Sequence, residues 1–275
     1  MDYSQYSLAK AGYLKEDFRL FHINDRTDRE FEWHYHDFHK IIVFVSGKVT
    51  YHIEGKAYHL RPQDILLVSQ GAIHKPEIDP SVQYERYIFW IRDDLSHPEL
   101  NTCFQRANDR SFNLIRLDSA LQEKIRDLLP EIEHALHNKQ FGDSILSKAL
   151  FTQLMIYINR IFLKSSTAPD QKSYSSDSQV EQLLKYINRN LSSNLSIDHL
   201  AERFFFSKYH IMRKFKEETG YTIHSYIVSK RLLYARSLIA QGTPVMKASL
   251  QSGFQDYTTF VRAYKKQFGT VPTQR

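Results

Sequence analysis

The chain has 275 residues, 42% of them hydrophobic and 25% charged, an ordinary globular composition long enough to bury two cores. A single cysteine, Cys103, excludes an internal disulfide and a cysteine-based zinc finger and fits a reducing, cytoplasmic setting. The net charge of +6 is unevenly held: residues 179–275 carry 15 Lys+Arg against 6 Asp+Glu, and residues 1–164 carry 21 against 23, so a polyanion is the expected partner of the last third and the remainder has a different task.

In chain order, the opening MDYSQYSLAK has no basic stretch leading into an apolar one and is not expected to be a signal peptide. No apolar run approaches the ~18 residues of a membrane span. Residues 18–92 fall into short runs rich in β-branched and aromatic side chains (IIVFVSG, KVTYHIEG, KAYHLRPQD, ILLVSQG, QYERYIFWI), punctuated by Gly47, Gly55 and Gly71. That texture predicts a small antiparallel sandwich or barrel. Residues 118–164 switch to helical period. Leu121, Ile125, Leu128 and Leu129 form one stripe, and Ile145, Leu146, Ala149, Leu150, Leu154, Ile158 and Ile161 form a second, wider one. The second is wide enough to cover both the barrel and another copy of the chain. The stretch 165–178, SSTAPDQKSYSSDS, reads as a linker. The expected organisation is therefore an α+β protein: a barrel with a helical dimerisation segment over 1–164, a linker over 165–178, and an all-α domain over 179–275.

Beyond the linker the helix punctuation is clear. A first helix is predicted over Gln179–Leu191. A short one is capped by Ser196 and ends near Phe204, and another is capped by Ser207 and runs Lys208–Thr219 to Gly220. A long one runs from Thr222 to Gly242. A fifth starts at Thr243-Pro244 and is broken by Gly253, and a sixth runs from Asp256 to Gly269. Two segments repeat one plan, short helix, tight turn, capped basic helix: 195–220 and 243–269. In the first, Leu200, Ala201, Ile211 and Phe215 face a core, and in the second Val245, Ala248, Phe260 and Tyr264 do so. The opposite faces present Ser207, Lys208, Tyr209, Met212, Arg213 and Lys216 in one unit, and Tyr257, Thr258, Thr259, Val261, Arg262 and Lys265 in the other. A helix fits the major groove of B-DNA, where Arg213 and Arg262 have the fork geometry for a guanine edge and lysines and capped helix starts suit phosphates.

Two such units in series resemble the DNA-binding domain of the AraC-type (arabinose-regulator) family of transcription factors. The resemblance rests on Leu200-Ala201, Ser207, Arg213-Lys214-Phe215-Lys216, Gly220-Tyr221-Thr222, Tyr226-Ile227, Arg231 and Ala235. It continues through Gly253-Phe254, Asp256, Phe260, Arg262, Tyr264, Lys265, Gly269 and Pro272. Departures are Ala248-Ser249, where the family usually has Ile-Ala, Tyr264 in place of Phe, and the lack of an aromatic before the final Arg275. The resemblance implies a sequence-specific transcription regulator of double-stranded DNA, responsive to a small-molecule effector such as a sugar. The wide apolar stripe within 118–164 is the ground for expecting a homodimer, and for an activator of metabolic genes RNA polymerase is a further expected partner. One chain would place two recognition helices in successive groove segments ~34 Å apart, bending the duplex if the connecting helix is rigid, at roughly 1–6 kcal/mol.

The segment His34-Tyr35-His36-Asp37-Phe38-His39-Lys40, with His74 further on, resembles the corresponding part of a cupin-type barrel. If 34–36 is a strand, the two imidazoles share a face. Three readings stay open: His34, His36 and His74 line an effector pocket, as the family resemblance implies; they are structural; or they hold a metal. Metal-binding cupins carry a Glu after the H-x-H pair, and Lys40 stands there, so no metal or other cofactor is expected. Tyr51, His52, His59 and Arg61 are further candidates for ligand hydrogen bonds. No nucleophile elbow, phosphate loop or dinucleotide fingerprint is present, Cys103 has no helper residue, and no catalytic residue is assigned. The alternative reading is a metal-dependent cupin-type enzyme fused to a DNA-binding domain.

Overall fold

The computed structural model describes residues 14, 16–28, 30–93, 95–138, 140–164 and 174–273. The N-terminal half is built on strands β1 (Phe18–Asp25), β2 (His39–Ser46), β3 (Val49–Ile53), β4 (Lys56–His59), β5 (Ile65–Val68), β6 (His74–Ile78), β7 (Tyr84–Ile91), β8 (Leu114–Ile115) and β9 (Tyr174–Ser176). They form two sheets, of order β1-β7-β2-β5-β8 and β6-β3-β4-β9, and the fold is α+β. β2 is buried on both faces. Because side chains alternate, its Ile42 and Phe44 enter the core between the sheets, with Tyr51, Ile53, Tyr58, Leu66 and Tyr84. Its Ile41 and Val43 face helices α1 (Thr102–Arg110), α2 (Ser119–His137) and α3 (Asp143–Lys164). The β3–β4 hairpin turns on Glu54 and Gly55, both at positive φ (46° and 76°), the backbone of a two-residue type I′ turn.

The helix expectation over 118–164 is met by α2 and α3, but the buried stripe of α3 runs through Ser147, Phe151, Leu154, Met155, Ile158, Asn159 and Phe162. Ile145, Leu146 and Ala149 point outward instead. α1 was not anticipated. Its start is pinned by the buried amide of Asn159, whose Oδ1 accepts from the Cys103 N–H (2.8 Å) and whose Nδ2 donates to the carbonyls of Leu100 (2.7 Å) and Met155 (2.8 Å). Most of the expected linker lies outside the described residues, and its end forms β9, paired with β4.

The C-terminal half is α4 (Ser178–Arg189), α5 (Ile197–Arg203), α6 (Lys208–Thr219), α7 (Ile223–Ala240), α8 (Val245–Gln251) and α9 (Tyr257–Phe268). Ser196, Ser207, Thr222 and Asp256 cap α5, α6, α7 and α9 as expected, and Asp177 caps α4. The N-cap of α8 is Pro244, one residue later than expected. The helices make two cores, which α7 joins: its Ile223, Tyr226 and Ile227 sit in the first with Leu200, Ile211 and Phe215. Its Leu232, Ala235 and Ile239 sit in the second with Ala248, Phe260 and Tyr264.

The two halves are docked. Ile73 of the barrel is buried in the first helical core, where Trp33 and Tyr35 also pack. The Tyr221 hydroxyl donates to the Trp33 carbonyl (3.2 Å), and Arg236 pairs with Asp37 (3.0 Å). The contact is close: a Cβ on Gly220 would lie 2.1 Å from the Trp33 ring, and one on Gly71 2.4 Å from Leu233.

Candidate effector site and DNA-reading face

His34 lies outside the strands, in an isolated backbone bridge with His74 (N···O 3.1 and 2.9 Å). That bridge, rather than a shared strand face, draws His34, His36 and His74 together, with one ring nitrogen of each within 4.8 Å of the others. Lys40, from β2, enters the same cluster. Its Nζ donates to Nε2 of His36 (3.0 Å) and of His74 (3.1 Å). His74 Nδ1 donates to the Ala72 carbonyl (2.8 Å), which leaves Nε2 as the lone-pair face that Lys40 uses. Burial pulls the Lys40 amine down to about 7. Burial first, then the Lys40 charge, holds His74 well below the ordinary imidazole range. A metal ion would need the two lone pairs that the ammonium takes, so this donor set does not fit one as it stands.

A polar seam continues from this cluster through the inter-sheet space. Tyr51 lies near-parallel to the His74 ring (6.0 Å between centroids). The Arg86 guanidinium stacks 4.1 Å from the Tyr84 ring, donates to the Tyr84 carbonyl (3.0 Å) and forms a buried ion pair with Asp25. The second carboxylate oxygen of Asp25 is buried without a hydrogen-bond partner among the described residues. Arg86 and Asp25 were not singled out from the sequence. The signal was there: in YERYIFWI both phases are apolar, so Arg86, in phase with Tyr84 and Ile88, had to be a buried charge. Of the other candidates, Tyr51 is buried in this seam. His52 instead pairs with Glu77 (2.9 Å), His59 meets Thr50 (3.1 Å), and Arg61 is exposed. Cys103 is buried and its thiol is pushed up to about 12 by burial, the inert state of a structural cysteine.

In the helical half, Ile211 and Phe215 turn α6 inward, and Ser207, Lys208, Tyr209, Met212, Arg213 and Lys216 lie on its exposed side. Ser207 Oγ accepts from the His210 N–H (3.2 Å), Lys208 pairs with Asp198 of α5, and Arg213 reaches Glu217 one turn on (3.4 Å). On α9, Phe260 and Tyr264 face inward. Tyr257, Thr258, Thr259, Arg262 and Lys265 are exposed and Val261 half-exposed. Phe205, in the turn between α5 and α6, is nearly fully exposed at φ 57°, a costly conformation for an aromatic residue. It was not singled out from the sequence.

A barrel with an internal polar seam, joined to two capped helix-turn-helix units with basic outer faces, defines a DNA-binding regulator carrying its own sensing domain. Comparison with known proteins makes this specific. The pattern of the AraC-like ligand binding domain matches residues 20–155, and that of a helix-turn-helix domain matches residues 200–275. The chain belongs to the AraC-type family of transcription regulators. It is 22% identical over 246 residues to the HTH-type transcriptional activator RhaR of Mannheimia succiniciproducens, covering 89% of this chain and 86% of that one. It is 21% identical over 245 residues to the activator RhaS of Citrobacter koseri, covering 88% and 86%. Among solved structures, ToxT from Vibrio cholerae O395 aligns over 94% of this chain and 96% of its own, with 14% identity and a TM-score of 0.36. No helix among the described residues is long and apolar enough to cross a membrane.

Proposed function

We propose that the chain is an effector-controlled activator of metabolic genes, acting in the cytoplasm as a homodimer and engaging RNA polymerase at the promoter. In this reading residues 1–164 form the sensing and dimerisation domain, 165–178 the linker and 179–275 the DNA-binding domain. The effector is a small polar metabolite such as a sugar, held at His34, His36 and His74 with Tyr51, Arg86 and Asp25 further along the seam. Support for a polyhydroxylated ligand comes from the mixture of cationic donors, imidazoles, phenols and a carboxylate inside an otherwise apolar core. The protein acts as a regulator and not as an enzyme, a reading supported by the engagement of two of the three imidazoles by Lys40.

The observation that carries the DNA assignment is the pair of capped, outwardly basic helices α6 and α9, fixed to a single helix, α7. Ser207, Lys208, Tyr209, Met212, Arg213 and Lys216 read or clamp one groove segment. Tyr257, Thr258, Thr259, Val261, Arg262 and Lys265 take the next. Selection of bound duplexes from a random pool is expected to return two conserved blocks one helical turn apart. Arg213→Ala is expected to lower affinity by ~1–3 kcal/mol and relax preference within one block only. Equal enrichment of all sequences would refute the assignment.

A further inference from the structure

A cavity of about 270 Å³ lies between the barrel and the C-terminal helices, apart from the histidine cluster. Its charged lining comes from both halves: Glu54 and Lys56 from the β3–β4 hairpin, Glu181, Lys185 and Arg189 from α4, and Lys230 from α7. Four cations thus face two carboxylates. Glu181 takes Lys56 (3.1 Å) and Lys185 (2.6 Å), and Glu54 takes Lys230 (2.9 Å). Arg189 has no ion-pair or hydrogen-bond partner for its guanidinium among the described residues. The side-chain amides of Gln70 and Asn108, which also line the cavity, likewise lack partners among the described residues. The site therefore offers unmatched positive charge beside neutral amides.

One wall already shows how a carboxylate is held. Glu54 accepts from Lys230 Nζ, from the Tyr226 hydroxyl, from Asn188 Nδ2 (3.3 Å) and from the Ile73 N–H (2.9 Å). These bonds tie the barrel to α4 and α7. Arg189 is exposed and Lys185 half-exposed, whereas Lys230 is largely buried against Glu54, so an anion in the cavity competes with Glu54 for Lys230.

We propose that this cavity binds a small polyhydroxylated anion, a sugar acid or sugar phosphate of about five or six carbons, held between the barrel and the C-terminal helices. The volume lies just below the ~300 Å³ lower end of ordinary ligand pockets, which restricts the ligand to this size. The net positive lining selects the anionic end through charge-assisted bonds. Gln70 and Asn108 select the hydroxyls.

The test is titration calorimetry on the full chain with D-gluconate, D-glucose 6-phosphate, neutral D-glucose and inorganic phosphate. Gluconate or glucose 6-phosphate is expected to bind, whichever of the two carries the right anionic end. Glucose and phosphate alone should bind at least about tenfold more weakly. Arg189→Gln and Lys185→Gln, both at partly exposed positions that leave the cores intact, should each weaken the best ligand about tenfold, whereas His74→Gln should not. No binding by either polyol anion, equal binding of glucose, or affinity unchanged by both α4 variants would overturn the proposal. Such a failure would be distinct from failure of the DNA assignment, which the duplex selection decides.

Discussion

Lys40 is buried with its ammonium facing two imidazoles, and burial lowers its amine from an ordinary 10.5 to about 7. Between those values the unfolded chain binds a proton that the folded chain does not, so folding grows more favourable as pH rises, by about 1.4 kcal/mol per pH unit. The unfolding midpoint is expected to climb between about pH 7.5 and 9, below the range where the buried tyrosines ionise, and the climb should be largely gone in Lys40→Met. Thermal melts of both chains across that range check it, and parallel pH curves would refute it. At this scale the sequence was legible in part. His34, His36 and His74, singled out by the H-x-H pair and the cupin resemblance, do come together. Lys40, marked as a departure from the metal-binding pattern, turns out to lie at the centre of the cluster. Arg86 and Asp25 are not legible at this scale, because a single charge in a strand reads as solvent-facing until its phase is compared with that of its neighbours.

Among the elements, the β3–β4 hairpin has an unusual task. Its two-residue turn leaves Glu54 at positive φ and points the carboxylate at α4 and α7. Glu54→Ala would leave Lys230, Tyr226 and Asn188 without their shared acceptor, and removing one member of such a largely buried set destabilises by about 3 kcal/mol. The expected outcome is a docked state lost before either half unfolds, seen as two separated thermal transitions and a larger radius of gyration in solution scattering. A single transition and unchanged dimensions would refute it. Helices after residue 178 were readable almost to the residue, because caps such as Ser207 and Asp256 and stops such as Gly220 and Gly269 are local chemistry. α1 was not, since only Cys103, Phe104 and Ala107 of it are buried, too few to show a period. β9 is a strand only because β4 offers an edge to pair with, a tertiary fact that YSS cannot announce. The Ala248-Ser249 departure is accommodated inside the core: both are buried, and Ser249 Oγ donates to the Met246 carbonyl (2.8 Å).

On the scale of the whole molecule, apolar side chains remain uncovered where α2 meets α3. Phe141, Ile145 and Leu146 are exposed, with Leu136 nearby in sequence at the end of α2. Ile145 and Leu146 belong to the outward part of the wide stripe, Phe141 and Leu136 extend it, and a surface of this kind suits a second copy of the chain. The wild-type chain is expected to be a dimer by light scattering, and Phe141→Asp with Ile145→Asp a folded monomer. A dimer unchanged by both substitutions would place the contact elsewhere.

α7 is gripped on several sides. Its first turns belong to one helical core, its last turns to the other, and Lys230, Leu233 and Arg236 along its length abut the barrel. A rod held in this way has little give. Any mismatch between its two basic helices and the helical repeat of the double helix then falls on the nucleic acid, where flexible pyrimidine–purine steps deform at least cost. The protein would thus weigh the pliancy of its binding sequence as well as its letters, and whatever loosens the grip on α7 would hand part of that strain back to the polypeptide.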